Sequence, residues 1–339
     1  MQFFSEKKIY DFMRMRFAAI SLSFILFFGS IYLLWDRGLQ YGIDFSGGTL
    51  VQLKYENAAP ITQIREILEN QGTFQNLSVT EFGSNEEVTI RFLGSNDNVS
   101  NEEVTIRFLG SNDNVSNDIG EHISTLLKDT GKFEVRRADV VGPKVGDELR
   151  NKGLMAIAVS LIAILIYIAL RFEWRFALAA IISEIHDVVI TLGAISLFKI
   201  DVNLDTLAAV LTVLGYSLND TIIIFDRIRE GIKTSKKTEL APIINESVSA
   251  TLSRTVLTSG LTLATVVILY FFGGEMIQGF SLALIVGIIA GTLSSIFVAS
   301  PTLLWFKFSV LEFRNKEIEK AKRKQDKERN RAMYEKGTV

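Results

Sequence analysis

The stretch "GYSLNDTIIIFDRIRE" (residues 215–230) decides how this sequence is interpreted, because it puts a carboxylate inside an apolar segment long enough to cross a membrane. The run 206–216 before Asp220 carries no charge, and the apolar residues 222–225 follow it. An ionised side chain at the centre of a bilayer costs about 2.5–3.5 kcal/mol on insertion scales. Asp220 is therefore either at a helix end that reaches water or a residue with a function inside the membrane.

Apolar residues throughout the chain are gathered in long runs, which is typical of an integral membrane protein. The chain has 339 residues, of which 48% are hydrophobic. Its net charge of −2 gives no reason to expect nucleic-acid binding. Because the sequence contains no cysteine, disulfides and thiolate metal sites are excluded.

Six apolar runs are each close to or above the roughly 20 residues that a bilayer-spanning helix needs. They are 17–35, 153–170, 176–198, 204–225, 253–272 and 277–306. The first run follows basic residues, as the core of a signal peptide does, but it is longer and ends in "YLLW" instead of a small-residue cleavage site. We therefore expect an uncleaved first span and an all-α bundle of six transmembrane helices, with the last five at 153–308.

The basic residues of the connecting segments predict the orientation of the spans. Lysine and arginine are concentrated in 1–16, 171–175, 226–251 and the tail from residue 307. The alternate connections, 199–203 and 273–278, hold one basic residue between them. Because cytoplasmic segments are enriched in lysine and arginine, both termini are expected in the cytoplasm. The basic tail, 309–339, is more simply explained as a solvated helix than as a site for anionic lipid or a partner.

The region 36–150 between the first two spans is predicted to be a folded extracytoplasmic domain, since strand and helix patterns alternate along it. "TLVQLKY" (49–55), "NLSVTEF" (76–82), "EVTIRFL" (87–93) and "KFEVRRADVV" (132–141) are predicted strands. Pro60 opens an amphipathic helix that Gly72 closes, and a second helix is predicted over 117–131, capped by Asn117 or Asp118. This βαββαβ order predicts a ferredoxin-like α+β domain.

A tandem duplication interrupts this domain, because "NEEVTIRFLGSNDNVS" occupies 85–100 and is repeated without change at 101–116. Two copies are too few for a solenoid. The second strand-like segment, 103–109, could pair as an extra hairpin strand, or it could displace the first copy and leave that copy as a loop. We assign the duplication no function.

Several enzyme motifs are absent from the sequence. No phosphate-binding loop of the form G-x-x-x-x-G-K-[ST] occurs, so an intrinsic ATPase is not expected. "DFSGGT" (44–49) has adjacent glycines but no lysine, and we interpret it as a tight turn that leads into a strand. His122 and His186 are the only histidines, which excludes a histidine-rich metal site. We expect no cofactor and no metal.

Polar residues inside the predicted spans are the remaining candidates for chemistry. They are Glu184, His186 and Asp187 on the third span, Tyr216, Asn219 and Asp220 on the fourth, and Arg254 near the start of the fifth. The two carboxylates of the third span are three residues apart, so they share one face of the helix.

Asp220 and Arg254 each have a structural explanation beside the functional one. Asp220 could lie at a wet helix end, and Arg254 could extend to lipid head groups. Because apolar residues follow Asp220, we favour pairing of ionisable groups inside the bundle, which is cheaper than solitary burial. Movement of Arg254 relative to Asp220 would then change the affinity of this carboxylate for protons.

The sixth span carries a ridge of small residues that recurs every four positions and would let another helix approach closely. The ridge consists of Ala283, Gly287, Gly291, Ser295 and Ala299. Its partner is left open between a helix of the same chain and another protein. Pro301 is expected to kink the last turn of this span.

Four motifs together resemble the SecD/SecF family of the RND superfamily, in particular its smaller, SecF-type half. They are "YGIDFSGGTLV" (41–51), "VGPKVGDELR" (141–150), "FEWRFALAAIISEIHDVVITLG" (172–193) and "GYSLNDTIIIFDRIRE" (215–230). The resemblance runs from about residue 17 to 308. The tail lies outside it, and the duplicated segment departs from it.

The resemblance implies a subunit that pairs with SecD and uses proton flow to promote the export of unfolded preproteins with the SecYEG translocon. The family's proton-pathway aspartate and arginine fall on Asp220 and Arg254, and its outer-domain motif falls on Asp44, Gly47 and Gly48. Tyr216, Asn219, His186, Asp187 and Glu184 are expected to support that pathway. The implied location is the bacterial inner membrane, in contact with lipid.

Two other function classes stay open from the residues alone. A small-molecule or lipid transporter of the wider RND type would usually carry two six-span halves and two large outer domains on one chain. A passive scaffold of the translocase would gain little from charged groups inside its spans.

Overall fold

The structure, a computed structural model, describes residues 9–72, 74–95 and 112–335. A single 3₁₀ turn, Phe12–Arg14, precedes helix α1, Arg16–Asp36, which covers the first predicted span. Most of α1 is exposed, because only its inner edge packs on the rest of the chain. An apolar helix with so little protein cover is suited to contact with lipid or with a second membrane subunit.

A small sheet domain follows, which we define as the described residues of 43–141. The one-turn helix α2, Ile43–Ser46, leads into strand β1, Gly48–Tyr55. Helix α3, Ile61–Gln71, and strands β2, Phe74–Phe82, and β3, Ser84–Ser95, come next. Helix α4, Asn112–Leu126, and strand β4, Phe133–Val141, complete the domain. The predicted strands are confirmed, and so is the α3 helix between Pro60 and the left-handed Gly72.

The four strands form one antiparallel sheet in the order β2-β3-β1-β4. Alternate residues of β1 and β3 face α3 and α4, and together they form an apolar core that includes Val51, Leu53, Ile64 and Ile90. The period of two along each strand places these side chains on one face.

The first copy of the duplicated segment forms β3, so the alternative in which the second copy displaces it is wrong. The extra strand predicted at 103–109 lies outside the described residues. Helix α4 begins at Asn112, not at the predicted cap Asn117 or Asp118, so the end of the second copy starts this helix. Asparagine, aspartate and serine all suit a first helical turn, which is why composition did not identify the first residue.

Five further helices are long and apolar enough to cross a membrane, which with α1 confirms the predicted number of six among the described residues. They are α5, Pro143–Arg171; α6, Trp174–Leu197; α7, Leu204–Thr234; α8, Leu240–Phe272; and the segment Gln278–Trp305. That last segment consists of α9, Gln278–Ser294, a π-helical turn, Ser295–Ala299, and α10, Ser300–Trp305. Helix α11, Val310–Glu335, forms the tail.

Three of these helices extend well beyond their predicted spans. Helix α5 begins at Pro143 instead of 153, α8 begins at Leu240 instead of 253, and α7 continues to Thr234. The predicted 226–251 loop is therefore reduced to 235–239. Hydropathy marks the part of a helix that suits lipid, whereas a helix itself continues through charged residues. At 1.5 Å per residue, a helix of 31 residues is about 46 Å long and exceeds the roughly 30 Å hydrocarbon core.

Helices α6, α7 and α9 form the centre of the bundle, and the predicted small-residue ridge lies where α9 crosses α7. A Cβ atom added at Gly287 would lie 2.1 Å from Val213 Cγ2, and one at Gly291 would lie 2.8 Å from Ser217 Cβ. The ridge therefore packs within the chain. The π-helical turn directly before α10 is the irregularity associated with Pro301, which lacks an N–H group for the helical hydrogen bond.

The sheet domain is attached to the spans by polar contacts. Arg91 on β3 makes a two-pronged ion pair with Asp201, which lies just before α7. Asp44 accepts a hydrogen bond of 3.0 Å from the backbone N–H of Leu204, the first residue of α7. A charge-assisted bond to a free helix N–H is favourable in charge and geometry. The domain is thus tied directly to the N-terminus of the helix that carries Asp220.

Candidate functional site

Asp220 lies in the middle of α7, and its carboxylate is buried with only 1% of the residue exposed. Helix α7 continues for 14 more residues, so the alternative of a wet helix end is wrong. Ser259 on α8 donates a hydrogen bond of 2.8 Å to Oδ2. Within the described part of the chain, the other carboxylate oxygen, Oδ1, has no hydrogen-bond partner. Asp220 therefore keeps one acceptor position open for a proton, a water molecule or a cation.

Arg254 is exposed on the surface of α8. No ion pair within 4 Å joins it to Asp220 in the residues that the structure describes, although its charge lies within electrostatic range of that carboxylate. The expected close pairing is thus not made in this conformation. Little of α8 is covered by the rest of the chain, so the guanidinium is free to extend along the protein surface.

Tyr216 and Asn219 occupy different surroundings on α7. The Tyr216 hydroxyl is within hydrogen-bond reach of the Thr262 hydroxyl and of the Thr258 carbonyl oxygen, at 3.2 Å from the latter. It therefore links α7 to α8 about one turn from Asp220. Asn219 is exposed beside Asp220 and, with Arg254, belongs to the face of α7 and α8 that this chain does not cover.

Asp187 on α6 is fully buried and joins three helices. Its Oδ2 accepts hydrogen bonds of 2.6 Å from Ser217 on α7 and 2.6 Å from Ser294 on α9. Its Oδ1 lies 2.9 Å from Nδ1 of His186, whose ring stacks on Phe27 of α1. Glu184, one turn earlier on α6, is also fully buried. The predicted shared face of the two carboxylates is confirmed.

The "DFSGGT" turn has the form expected of a tight connection into a strand. Gly47 and Gly48 both have positive φ values, 70° and 118°, which glycine adopts without strain. A Cβ atom at Gly47 would lie 2.7 Å from Cα of Pro143, the first residue of α5. The two glycines therefore allow the turn to pack directly against the start of the second span.

Sequence reasoning did not identify the serines that contact the buried carboxylates, Ser217, Ser259 and Ser294. Serine is common in membrane helices, and only the folded bundle pairs each hydroxyl with its acceptor. The ion pair between Arg91 and Asp201 was missed for the same reason, because its members are 110 residues apart. The described residues contain no group of three or more His, Cys, Asp or Glu side chains that could hold a metal ion.

Comparison with known proteins identifies the family to which this chain belongs. The family model described as "Protein export membrane protein SecD/SecF, C-terminal" matches residues 122–309, and the "SecD/SecF GG Motif" matches residues 32–59. The chain is 42% identical over 339 residues to the protein translocase subunit SecF of Helicobacter pylori, with all of both chains covered. The chain belongs to the SecD/SecF family. With its six apolar helices, it is a multi-pass bacterial membrane protein.

Other SecD/SecF relatives agree in sequence and in structure. The SecF subunit of Vibrio alginolyticus is 44% identical over 305 residues, which cover 89% of this chain and 91% of the relative. A crystal structure of SecDF, a translocon-associated membrane protein from Thermus thermophilus, is 33% identical with a TM-score of 0.76. That match covers 89% of this chain but 39% of the SecDF chain, so this chain spans about two fifths of the solved protein.

Proposed function

We propose that this chain is an auxiliary subunit of a bacterial protein translocase, which pairs with SecD and uses proton flow through its bundle to promote preprotein export. The names of its relatives, protein translocase subunit SecF, support the translocase role. Its partners in this proposal are SecD, the SecYEG translocon, the unfolded preprotein and membrane lipid. The chain acts without a cofactor and is not an enzyme.

The observation that carries the proposal is Asp220, a buried carboxylate in the middle of a span with one oxygen unpartnered among the described residues. Ionisable groups inside membrane helices are costly and typically belong to ion or proton pathways. Arg254 lies within electrostatic range but makes no ion pair with Asp220. Approach of the guanidinium favours the ionised carboxylate, and withdrawal favours proton binding. Proton transfer is thereby coupled to the relative position of α7 and α8.

The proposed partner surface is the uncovered face of α7 and α8. It exposes polar side chains in the middle of two spans: Thr212, Asn219, Arg254 and Thr258. Polar groups are poorly solvated by lipid tails, so a second membrane subunit that covers them is favoured over lipid. SecD is the proposed occupant, and the solved SecDF chain, of which the match covers 39%, is long enough to include such a second subunit.

The proposed arrangement places this chain in the inner membrane with 1–16 and 309–339 in the cytoplasm and the sheet domain outside. The distribution of lysine and arginine between the connections supports this orientation. We assign the sheet domain a ferredoxin-like fold. Its strand order, β2-β3-β1-β4, and its sequence of strands and helices support that assignment.

The test is a pulse-chase of a secreted precursor in cells whose only copy of the chain carries Asp220→Asn. The matched control is Asp205→Asn, an exposed aspartate in the first turn of the same helix. We expect slowed precursor clearance in Asp220→Asn, with normal membrane levels and normal SecD association, and wild-type clearance in the control.

Two results would contradict the proposal. Unchanged clearance in Asp220→Asn would favour a passive scaffold, because such a role needs no protonatable group at this position. Retention of toxic compounds with normal precursor clearance would favour an efflux transporter.

A further inference from the structure

A pair of buried carboxylates lies on α6, apart from the contact between Asp220 and Ser259. Glu184 and Asp187 are three residues apart, and neither has any solvent-exposed surface. Both carboxylate oxygens of Glu184 lack a hydrogen-bond partner among the described residues. A fully buried carboxylate without donors is uncommon, since buried polar groups are nearly always hydrogen-bonded.

Asp187 has the opposite environment. The hydroxyls of Ser217 and Ser294 each donate to its Oδ2 at 2.6 Å, and His186 Nδ1 lies 2.9 Å from its Oδ1. An ionised carboxylate accepts hydrogen bonds at both oxygens and donates none, so these groups match an anion. Oxygen-to-oxygen distances of 2.6 Å are also those of hydroxyl bonds to an ionised acceptor.

The two carboxylates cannot both carry a charge at an acceptable energy. Glu184 and Asp187 are both fully buried on the same face of α6, and within the described residues no lysine or arginine makes an ion pair with either group. Two like charges in a buried site are resolved by protonation of one of them. The hydrogen-bond donors around the pair contact Asp187 and stabilise its anion, so the proton is assigned to Glu184.

The other elements packed on α6 offer no competing charge beside this pair. His186 is the neighbouring titratable group on α6, and Tyr216 and Asp220 are the titratable groups in the middle of α7. Helix α9 contains no ionisable residue, and over 17–35 the one ionisable side chain of α1 is Tyr32. Along α5, charged residues are confined to its two ends, at or before residue 152 and at Arg171.

We infer that Glu184 and Asp187 form a second proton-holding site of the bundle, in which Glu184 carries the proton and Asp187 the negative charge. Ser217 lies beside both groups, but its single hydroxyl hydrogen is directed to Asp187. A movement of α7 or α9 that withdraws Ser217 and Ser294 removes the stabilisation of the Asp187 anion. The proton then passes from Glu184 to Asp187: one O–H bond breaks, another forms, and the net charge of the pair is unchanged.

Which carboxylate holds the proton depends on how α7 and α9 are placed against α6, because the two serines belong to α7 and α9 and the carboxylates to α6. The existence of the protonated Glu184 does not depend on the proposed function. Its use during export does rest on that function, so the two are tested by different measurements.

The test is infrared spectroscopy of the full-length chain in lipid at pH 7, with observation of the C=O stretch of protonated carboxyl groups. Solvent-exposed carboxylates are ionised at this pH and do not contribute. We expect a component that shifts when glutamate is labelled with ¹³C and that is lost in Glu184→Gln. The component remains in Asp187→Asn and in the control Glu66→Gln, a change at an exposed glutamate of α3.

The labelling experiment needs no mutation, so it remains decisive even where a variant folds poorly. Absence of a ¹³C-glutamate component in the wild-type chain, or its persistence in Glu184→Gln, would overturn the inference. Substitution of both serines by alanine gives a second test. In this double variant we expect a protonated-carboxyl C=O component that shifts when aspartate is labelled with ¹³C and that is lost when Asp187→Asn is added. A component that still shifts with ¹³C-glutamate instead would overturn the proposed transfer.

Neither result depends on export. Failure of Asp220→Asn to slow precursor clearance would therefore reject the proposed function while leaving this site in place.

Discussion

Gly287→Ala tests the closest helix crossing of the bundle, where α9 meets α7. The added Cβ would lie 2.1 Å from Val213 Cγ2 and 2.8 Å from Cγ1. Favourable carbon contacts lie at about 3.5–4.0 Å, so the closest methyl is too near by about 1.4 Å. Val213 is fully buried, and a β-branched side chain in a helix has one strongly preferred rotamer, so it cannot turn away. The two helices must therefore shift.

The expected cost is that of overpacking, about 1–3 kcal/mol. Gly215→Ala is the matched control, because Gly215 lies on α7 and a Cβ there meets nothing within 4 Å. Both substitutions gain the helix propensity of alanine, about 1 kcal/mol, so their difference isolates the steric cost. The assay is equilibrium unfolding of the purified chain in mixed detergent micelles at increasing SDS content.

Val213→Ala provides the rescue, since it removes the two methyl groups nearest the added Cβ. We expect the double variant to be more stable than the sum of the two single effects predicts, with a coupling of about 0.5–3 kcal/mol. Equal stability of Gly287→Ala and Gly215→Ala, together with additive behaviour in the double variant, would refute the crossing. The same crossing places Gly291 against Ser217, so it also holds the Asp187 hydrogen bonds in position.

Three further predictions concern the attachments of the bundle. In Gly47→Ala, alanine must adopt a positive φ and its Cβ would lie 2.7 Å from Cα of Pro143 at the start of α5. We therefore expect the free energy of unfolding to fall by at least about 2 kcal/mol in the same assay. In Gly260→Ala the added Cβ meets nothing within 4 Å, so no loss is expected. Asp44→Asn keeps a hydrogen-bond acceptor for the N-terminus of α7 but removes the negative charge. We expect the free energy of unfolding to fall by about 0.3–1 kcal/mol, and this difference from wild type to become smaller at high salt. The Lys233 ammonium donates a hydrogen bond to Glu317 and lowers the pKa of that carboxyl. This ion pair stabilises the folded chain by about 0–1 kcal/mol above the pKa of Glu317 in the unfolded chain, and the stabilisation is lost as the pH falls through the lowered pKa of the folded chain. Proteolysis of α11 should therefore increase over that pH range in wild type and not in Lys233→Met.

The sequence predicted those features that depend on local patterns. Six apolar runs identified six membrane-length helices, and strand-like sequence patterns identified the four described strands of the sheet domain. The four-residue spacing of small side chains predicted the close approach at Gly287 and Gly291. Each of these depends on neighbours in the chain, so a single sequence contains the necessary information.

The features that sequence reasoning missed depend on which helix lies beside which. The serines that hold Asp187 and Asp220 come from other helices, and Arg91 meets Asp201 only after the sheet domain folds onto the spans. The expected close pairing of Asp220 with Arg254 was inferred from the cost of burial. It is absent in this conformation because α8 leaves Arg254 on an uncovered face. Helix ends were misplaced where charged residues continue a helix beyond the membrane, as at Pro143.

The central claim is that proton movement at Asp220 drives export, and it is tested most directly by the response to the proton gradient. Translocation of a precursor into inverted membrane vesicles would be measured with the gradient intact and with it collapsed by an uncoupler. Vesicles would carry the wild-type chain, Asp220→Asn or the exposed control Asp205→Asn. The account predicts that wild type and control slow on collapse, while Asp220→Asn is already slow and changes less. Equal slowing of all three would contradict the account.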